Sequence, residues 1–166
     1  MFQIPFRRCR VAILSGLSIL CSAGCSGLGR GGGPPVAELH LFGLPTALTA
    51  VGSSEPNGVG IRIYASAAGG SQGIPIRQGR LEVLVFDQSA EGLEPQTKDP
   101  FKLWSFQAAD LEPYRAASMM GTGYTLELRW NQLRPKGKVL TVVARYVKPD
   151  KSEIYSPPTV ISGTVH

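Results

Sequence analysis

The chain has 166 residues, with 17 Lys and Arg against 12 Asp and Glu, a formal net charge of +5 and an isoelectric point near 9.3. Three of those 17 bases, Arg7, Arg8 and Arg10, stand in the first 24 residues with no acid beside them, so the rest of the chain holds fourteen bases against twelve acids and gives no reason to expect a nucleic-acid partner. An apolar share of 43%, a charged share of only 17%, and 20 Gly with 13 Pro argue against general disorder and against a helical bundle.

In chain order, the first element is an address. Arg7-Arg8-Cys9-Arg10 is followed by the uncharged run Val11 to Leu20 and by the small residues Ser22-Ala23-Gly24-Cys25. A basic n-region, a short apolar h-region and a small-residue c-region predict a secretory signal over residues 1–24. The apolar run is too short for a membrane span, which needs about 20 residues. Arg7-Arg8 reads as an ordinary n-region, since no twin-arginine continuation follows.

Ser22-Ala23-Gly24-Cys25 resembles the lipobox of bacterial lipoproteins, with Ser22 where that class usually has Leu. The resemblance implies that Cys25 is lipidated through its sulfur and becomes the new N-terminus, with the lipid bilayer as its partner. Ordinary signal cleavage nearby is the alternative. Ser26-Gly27-Leu28-Gly29-Arg30-Gly31-Gly32-Gly33-Pro34-Pro35 follows, a flexible tether that stiffens at its prolines. Residues 25–35 are therefore expected to be lipid-anchor cysteine and tether. Ten such residues reach at most about 35 Å and typically span about 17 Å.

From residue 36 to 166 the pattern is that of strands. Ala37, Leu39 and Leu41 alternate with Glu38 and His40, and Val59, Ile61 and Ile63 alternate with Gly60, Arg62 and Tyr64. Leu81 to Phe86 is apolar on both faces and reads as a central strand. Phe101 to Phe106 and Tyr124 to Trp130 alternate again, and residues 139–147 are rich in β-branched side chains. Pro149-Asp150-Lys151-Ser152 signals a turn, with Glu153-Ile154-Tyr155 returning as its hairpin partner. A last strand is expected within Thr159 to Val165, and one short helix at 109–117 with Leu111 and Tyr114 on one side. These elements predict an all-β domain: a single antiparallel β-sandwich, immunoglobulin-like or transthyretin-like, with one short connecting helix. A small barrel is the alternative.

The segment from Trp104 to Tyr155 resembles a group of uncharacterised bacterial exported lipoproteins with small β-rich heads. The shared features are the strand ending Trp104-Ser105-Phe106, the helix around Leu111 and Tyr114, the strand Gly123-Tyr124-Thr125-Leu126, and the hairpin around Pro149-Asp150. That resemblance covers about a third of the chain; it implies a place in the cell envelope, and no reaction.

The reactive inventory is thin. All three cysteines, Cys9, Cys21 and Cys25, lie in the first 25 residues, so the body holds no disulfide, thiol nucleophile or thiolate metal site. Histidine occurs only as His40 and His166. Gly27-Leu28-Gly29-Arg30-Gly31-Gly32 fits G-x-G-x-x-G, but no strand precedes it and two prolines follow, so it reads as linker. Gly69-Gly70-Ser71-Gln72-Gly73 fits G-x-S-x-G, yet Pro75 bars a following helix, and His40 alone could serve as base. Asp87, Glu91 and Glu94 form a loose acidic loop in which weak calcium binding competes with plain solvation. Met119-Met120 reads as core or loop filler.

Two surface features merit attention as binding candidates. Trp104 and Trp130 sit in alternating strands with one face toward the core, so core packing is the favoured reading; if exposed they could stack on sugar rings, Trp130 more readily because it ends its strand. Arg129, Arg134, Lys136 and Lys138 make the most basic stretch of the body, fit to touch anionic polymers or lipid headgroups. No cofactor, metal or catalytic residue is expected. The sequence thus predicts an exported, membrane-anchored envelope lipoprotein with a non-catalytic structural or interaction role, whose partners are an envelope protein or a polysaccharide. A carbohydrate- or ligand-binding module comes second and a hydrolase third.

Overall fold

The structure is a computed structural model that describes residues 33–53, 55–131 and 134–163. The expected signal, Cys25 and most of the tether lie outside the described residues. Two sheets face each other. The first contains β1 (Glu38–Gly43), β2 (Leu48–Thr49), β3 (Pro56–Ser66), β4 (Gly73–Ile74), β7 (Arg115–Ser118) and β8 (Gly121–Arg129). The second contains β5 (Arg80–Phe86), β6 (Lys102–Gln107), β9 (Val139–Val147), β10 (Glu153–Tyr155) and β11 (Thr159–Ser162).

The long strands of the first sheet run in the order β1-β3-β8-β7, and those of the second β10-β9-β5-β6, with β11 continuing the β10 edge. This is the strand order of an immunoglobulin-type sandwich, with β6 added beside β5. The barrel alternative falls, although the sheets are laced along one side. There Thr46 bridges Ser162 in parallel, Ala47 N–H donates to Ser162 O at 2.9 Å, and Ser162 N–H to Pro45 O at 2.9 Å.

Alternation explains the core. Leu39 and Leu41 of β1, Val59, Ile61 and Ile63 of β3, and Tyr124, Leu126 and Leu128 of β8 point inward from one sheet. Leu81, Val83 and Val85 of β5, Leu140, Val142 and Ala144 of β9, and Ile161 of β11 meet them from the other. Burying each such side chain contributes about 1.5–3 kcal/mol. β5 is central, between β9 and β6, and its other face is covered too: Leu84 and Phe86 pack with Val143, Leu93 and Tyr155 outside the sandwich. That second small cluster is why the strand reads apolar on both sides.

The helix departs from expectation. A 3-10 helix spans Ala108–Tyr114, and Arg115–Ser118, expected to continue it, is strand β7 instead. Asp110 Oδ2 accepts the Gln107 N–H at 2.9 Å and fixes the start, while Leu111 inserts fully into the core. Beyond Tyr114 the chain meets the open edge of β8, whose ladder from Arg115↔Tyr124 to Ser118↔Gly121 outweighs the helical preference of Ala116 and Ala117.

Two short strands escaped the pattern because they are only two residues long. One of them, β4, depends on glycine. Gly73 pairs in parallel with Gly121, where a Cβ on Gly121 (φ +89°) would stand 2.4 Å from Gly73 O. Gly121→Ala is therefore expected to lower stability by about 2–4 kcal/mol, from left-handed backbone strain plus the forced separation of the strands. Urea denaturation followed by circular dichroism measures this; a loss below about 0.5 kcal/mol would show that the approach is not as tight as described.

Candidate functional site

The two ends of the sandwich differ. Strands β3, β5, β8 and β9 run between them, and the nine residues of β9 cover about 30 Å. The near end gathers the entering chain Gly33–Val36, the loop before β5, the 3-10 helix and the β9–β10 turn. The far end gathers the β5–β6 and β8–β9 loops and the start of β3.

The basic stretch singled out in the sequence lies at the far end and is largely engaged within the fold. Arg129 Nη1 donates to Thr49 O at 3.1 Å and to Asn57 Oδ1, and Arg134 Nε donates to Glu55 Oε2 at 2.8 Å. Lys136 and Lys138 are exposed, but the backbone around them is held by Asp87, whose two carboxylate oxygens accept the N–H groups of Lys136 and Gly137, each at 2.7 Å. Asp87 is thereby the loop's clamp, and Glu91 stays exposed on the loop surface.

Trp130 corrects the expectation placed on it. Its side chain is 1% exposed, so it offers no stacking face to a ligand. Its ring meets Phe101 edge-on at 5.9 Å, and its Nε1–H donates to Pro56 O at 3.1 Å, closing the far end of the core. Trp104 is half-buried on β6, packed against the core, with Lys102 Nζ 5.9 Å from its ring centroid. Met119 and Met120 form the exposed β7–β8 turn.

The hydroxyl nearest His40 is not the one the motif named. Ser71 is exposed on the loop between β3 and β4, whereas His40 Nε2 lies 3.2 Å from Ser66 Oγ and 3.7 Å from Glu38 Oε2. A triad needs base and orienting acid on opposite ring nitrogens. Here one nitrogen faces both partners, and Ser66 is 1% exposed, so the group is not a nucleophile relay. Among the described residues no group of three or more His, Cys, Asp or Glu is placed to hold a metal ion, and no helix is long and apolar enough to cross a membrane.

Sequence reasoning missed a polar network on the outer face of the second sheet. Cross-strand register aligns Glu82, Arg145 and Tyr155 in one row. The Glu82 carboxylate is 4% exposed and receives Arg145 Nη2 at 2.5 Å and Arg145 Nε at 2.6 Å, with Arg80 Nε at 2.6 Å from its other oxygen. Tyr155 donates its hydroxyl to Glu153 Oε2 at 2.5 Å. Burial works against the Arg145 charge, but its bonds to Tyr155 and Glu82 outweigh that and raise its pKa above the usual arginine value. The signal available in the sequence was the charged Glu82 inside an otherwise apolar strand. Glu82→Ala is expected to cost at most about 3–5 kcal/mol by removing the closest carboxylate of Arg145, which keeps only Glu153 at 3.5 Å and the Tyr155 hydroxyl at 3.4 Å, whereas Glu82→Gln should cost less; paired thermal unfolding curves measure the difference.

Three tyrosines are shifted in one direction. Burial raises the pKa of Tyr124, whose oxygen accepts the Ile76 N–H at 2.7 Å, and burial also raises Tyr146 and Tyr155. Above about pH 10 the unfolded chain therefore loses these protons before the folded one does, so folding stability is full below that pH and falls as pH rises through it. Tyr124→Phe should lower stability at pH 8 by about 1–3 kcal/mol by orphaning the Ile76 N–H, while making the alkaline fall shallower. Denaturant midpoints at pH 8 and pH 11 test both halves; an unchanged alkaline slope would remove Tyr124 as a contributor.

The near end carries the concave surfaces. One hollow of about 360 Å³ is lined by Gly33 to Val36, Arg77, Tyr146 and the β9–β10 turn. A second, of about 430 Å³, is lined by Gly79, Arg80, Gln107, Val147, Lys148, Lys151 and Glu153. A scan against protein-family models finds no match for the chain, and a search of curated proteins finds none either.

Proposed function

We propose that this protein is an exported lipoprotein of the bacterial cell envelope, held to a membrane through Cys25, whose β-sandwich head serves a non-catalytic structural or interaction role. The observation that carries the reading is the N-terminal layout: Arg7 to Arg10, the apolar run Val11 to Leu20, the lipobox-like Ser22-Ala23-Gly24-Cys25, and a Gly/Pro run leading directly into the sandwich. The anchor sits in front of the domain, and the domain's own near end receives the chain at Gly33.

The character of the head supports the same reading. His40, Ser66 and Glu38 do not form a relay, Asp87 is occupied by backbone N–H groups, and Trp130 is interior. The carbohydrate-stacking alternative loses Trp130, the aromatic on which it chiefly leaned.

The test is fractionation with intact-mass analysis. Wild-type protein is expected in the membrane fraction, without residues 1–24 and with the added mass of acyl chains on Cys25. Cys25→Ser is expected to accumulate as unprocessed precursor or to leave the membrane. Unchanged processing and retention in Cys25→Ser would overturn the lipid anchor.

A further inference from the structure

A tether of the kind that the Gly/Pro composition of residues 26–35 predicts would fix distance but not orientation. From Cys25 to Gly33 there are eight residues, with a typical span of about 16 Å and a limit of about 27 Å. Gly33 enters at the near end, and Ala37 N–H is bound to Ser66 O at 2.8 Å, so the near end lies closest to Cys25 along the chain. A head on such a leash meets the bilayer repeatedly at a high effective concentration, and even a weak surface preference then selects one face.

The second near-end hollow carries such a preference. Arg80, Lys148 and Lys151 line it together with the amide of Gln107. Its one carboxylate, Glu153, is already taken by the Tyr155 hydroxyl at 2.5 Å and by Arg145 at 3.5 Å. Arg80 keeps Nε against Glu82, yet its side chain is 42% exposed, so the guanidinium is only partly used. The exposed Asp150 of the adjacent turn is bonded to Ser152 N–H at 2.9 Å and Ser152 Oγ at 2.7 Å. Nearby, Glu112 pairs with Arg115 at 3.0 Å, and Arg77 lines the first hollow. Arg80, Lys148 and Lys151 thus converge on one concave place, with hydrogen-bond donors suited to phosphate oxygens.

We infer that this hollow seats the phosphate of an anionic lipid headgroup, so that the head rests with its near end on the bilayer that holds Cys25. The inference rests on the lipid-anchor reading. The basic stretch at Arg134, Lys136 and Lys138 then faces away from that bilayer, the length of β9 distant.

The experiment uses the full mature protein extracted from membranes and returned to vesicles of phosphatidylcholine, alone or with about 30% phosphatidylglycerol. Intact mass is recorded first, then hydrogen exchange of the backbone. In the anionic vesicles, amides of the Lys148–Ser152 turn and of Gly79 and Arg80 are expected to exchange about tenfold more slowly, and high salt is expected to remove that protection. Lys148→Gln with Lys151→Gln, two exposed or half-exposed positions whose change spares the core, should abolish most of it. The amides of Lys136 and Lys138 should exchange alike in both vesicles. A protein without acyl mass overturns the anchor and this inference together. An acylated protein with equal exchange in both vesicles, or with protection at Lys136–Lys138 instead, overturns the headgroup site and leaves the anchor standing.

Discussion

No disulfide ties the two sheets, because all three cysteines precede residue 26. The sandwich is held by interdigitated side chains, and everything else follows from keeping water out of that contact. A sheet pair about 10 Å apart is open at both ends unless something plugs it. Trp130 with Phe101 closes the far end, and Leu111 with Ile76 and Val36 closes the near end. The 3-10 helix exists to deliver Leu111, and the extension of β8 past Leu128 exists to deliver Trp130. A residue used as a plug is lost to recognition, which is why Trp130 presents no stacking surface, while Phe42 and Tyr114 stay exposed.

The outer face of the second sheet is polar where its central strands meet. The outer face of the second sheet is locked by Glu82 and Arg145, with Tyr155 and Glu153 pinning β10 to β9. Locking this face also fixes the β9–β10 turn that carries Lys148 and Lys151. The buried ion pair and the concave cationic surface are therefore one construction: the first immobilises the frame on which the second is displayed.

Much of the fold was legible because period two is a strong signal when one face is buried. Residues 139–147 were read with their observed bounds, and β5 was correctly placed as a central strand. The same alternation also held the answer for Trp130: it continues the inward series Tyr124, Leu126, Leu128. Core packing, the reading that alternation favours, holds for Trp130, and its place at the strand end does not expose it. The helix was overextended because Ala116 and Ala117 favour helix locally, and only the distant partner β8 makes them strand. The near-end hollow was out of reach for a different reason. Arg80, Gln107, Lys148 and Lys151 are scattered over 72 positions of sequence, and only the antiparallel register brings Arg80 opposite both Gln107 and Val147. Sequence proximity favoured Arg129 to Lys138 instead, a cluster whose arginines are spent on holding Thr49, Asn57 and Glu55.

The outer edge of the second sheet is broken between β10 and β11. Three residues, Ser156-Pro157-Pro158, stand where β9 has Val143 and Ala144, and Ser156 Oγ accepts the Ala144 N–H at 3.0 Å in place of a backbone carbonyl. The prolines have no N–H to offer, and the kinked edge presents no run of free backbone long enough to template another strand. This matters wherever copies of the domain come close together. A bulge in which three residues face two makes this edge, unlike the continuous β6 edge on the sheet's other side, a poor template for a neighbouring strand.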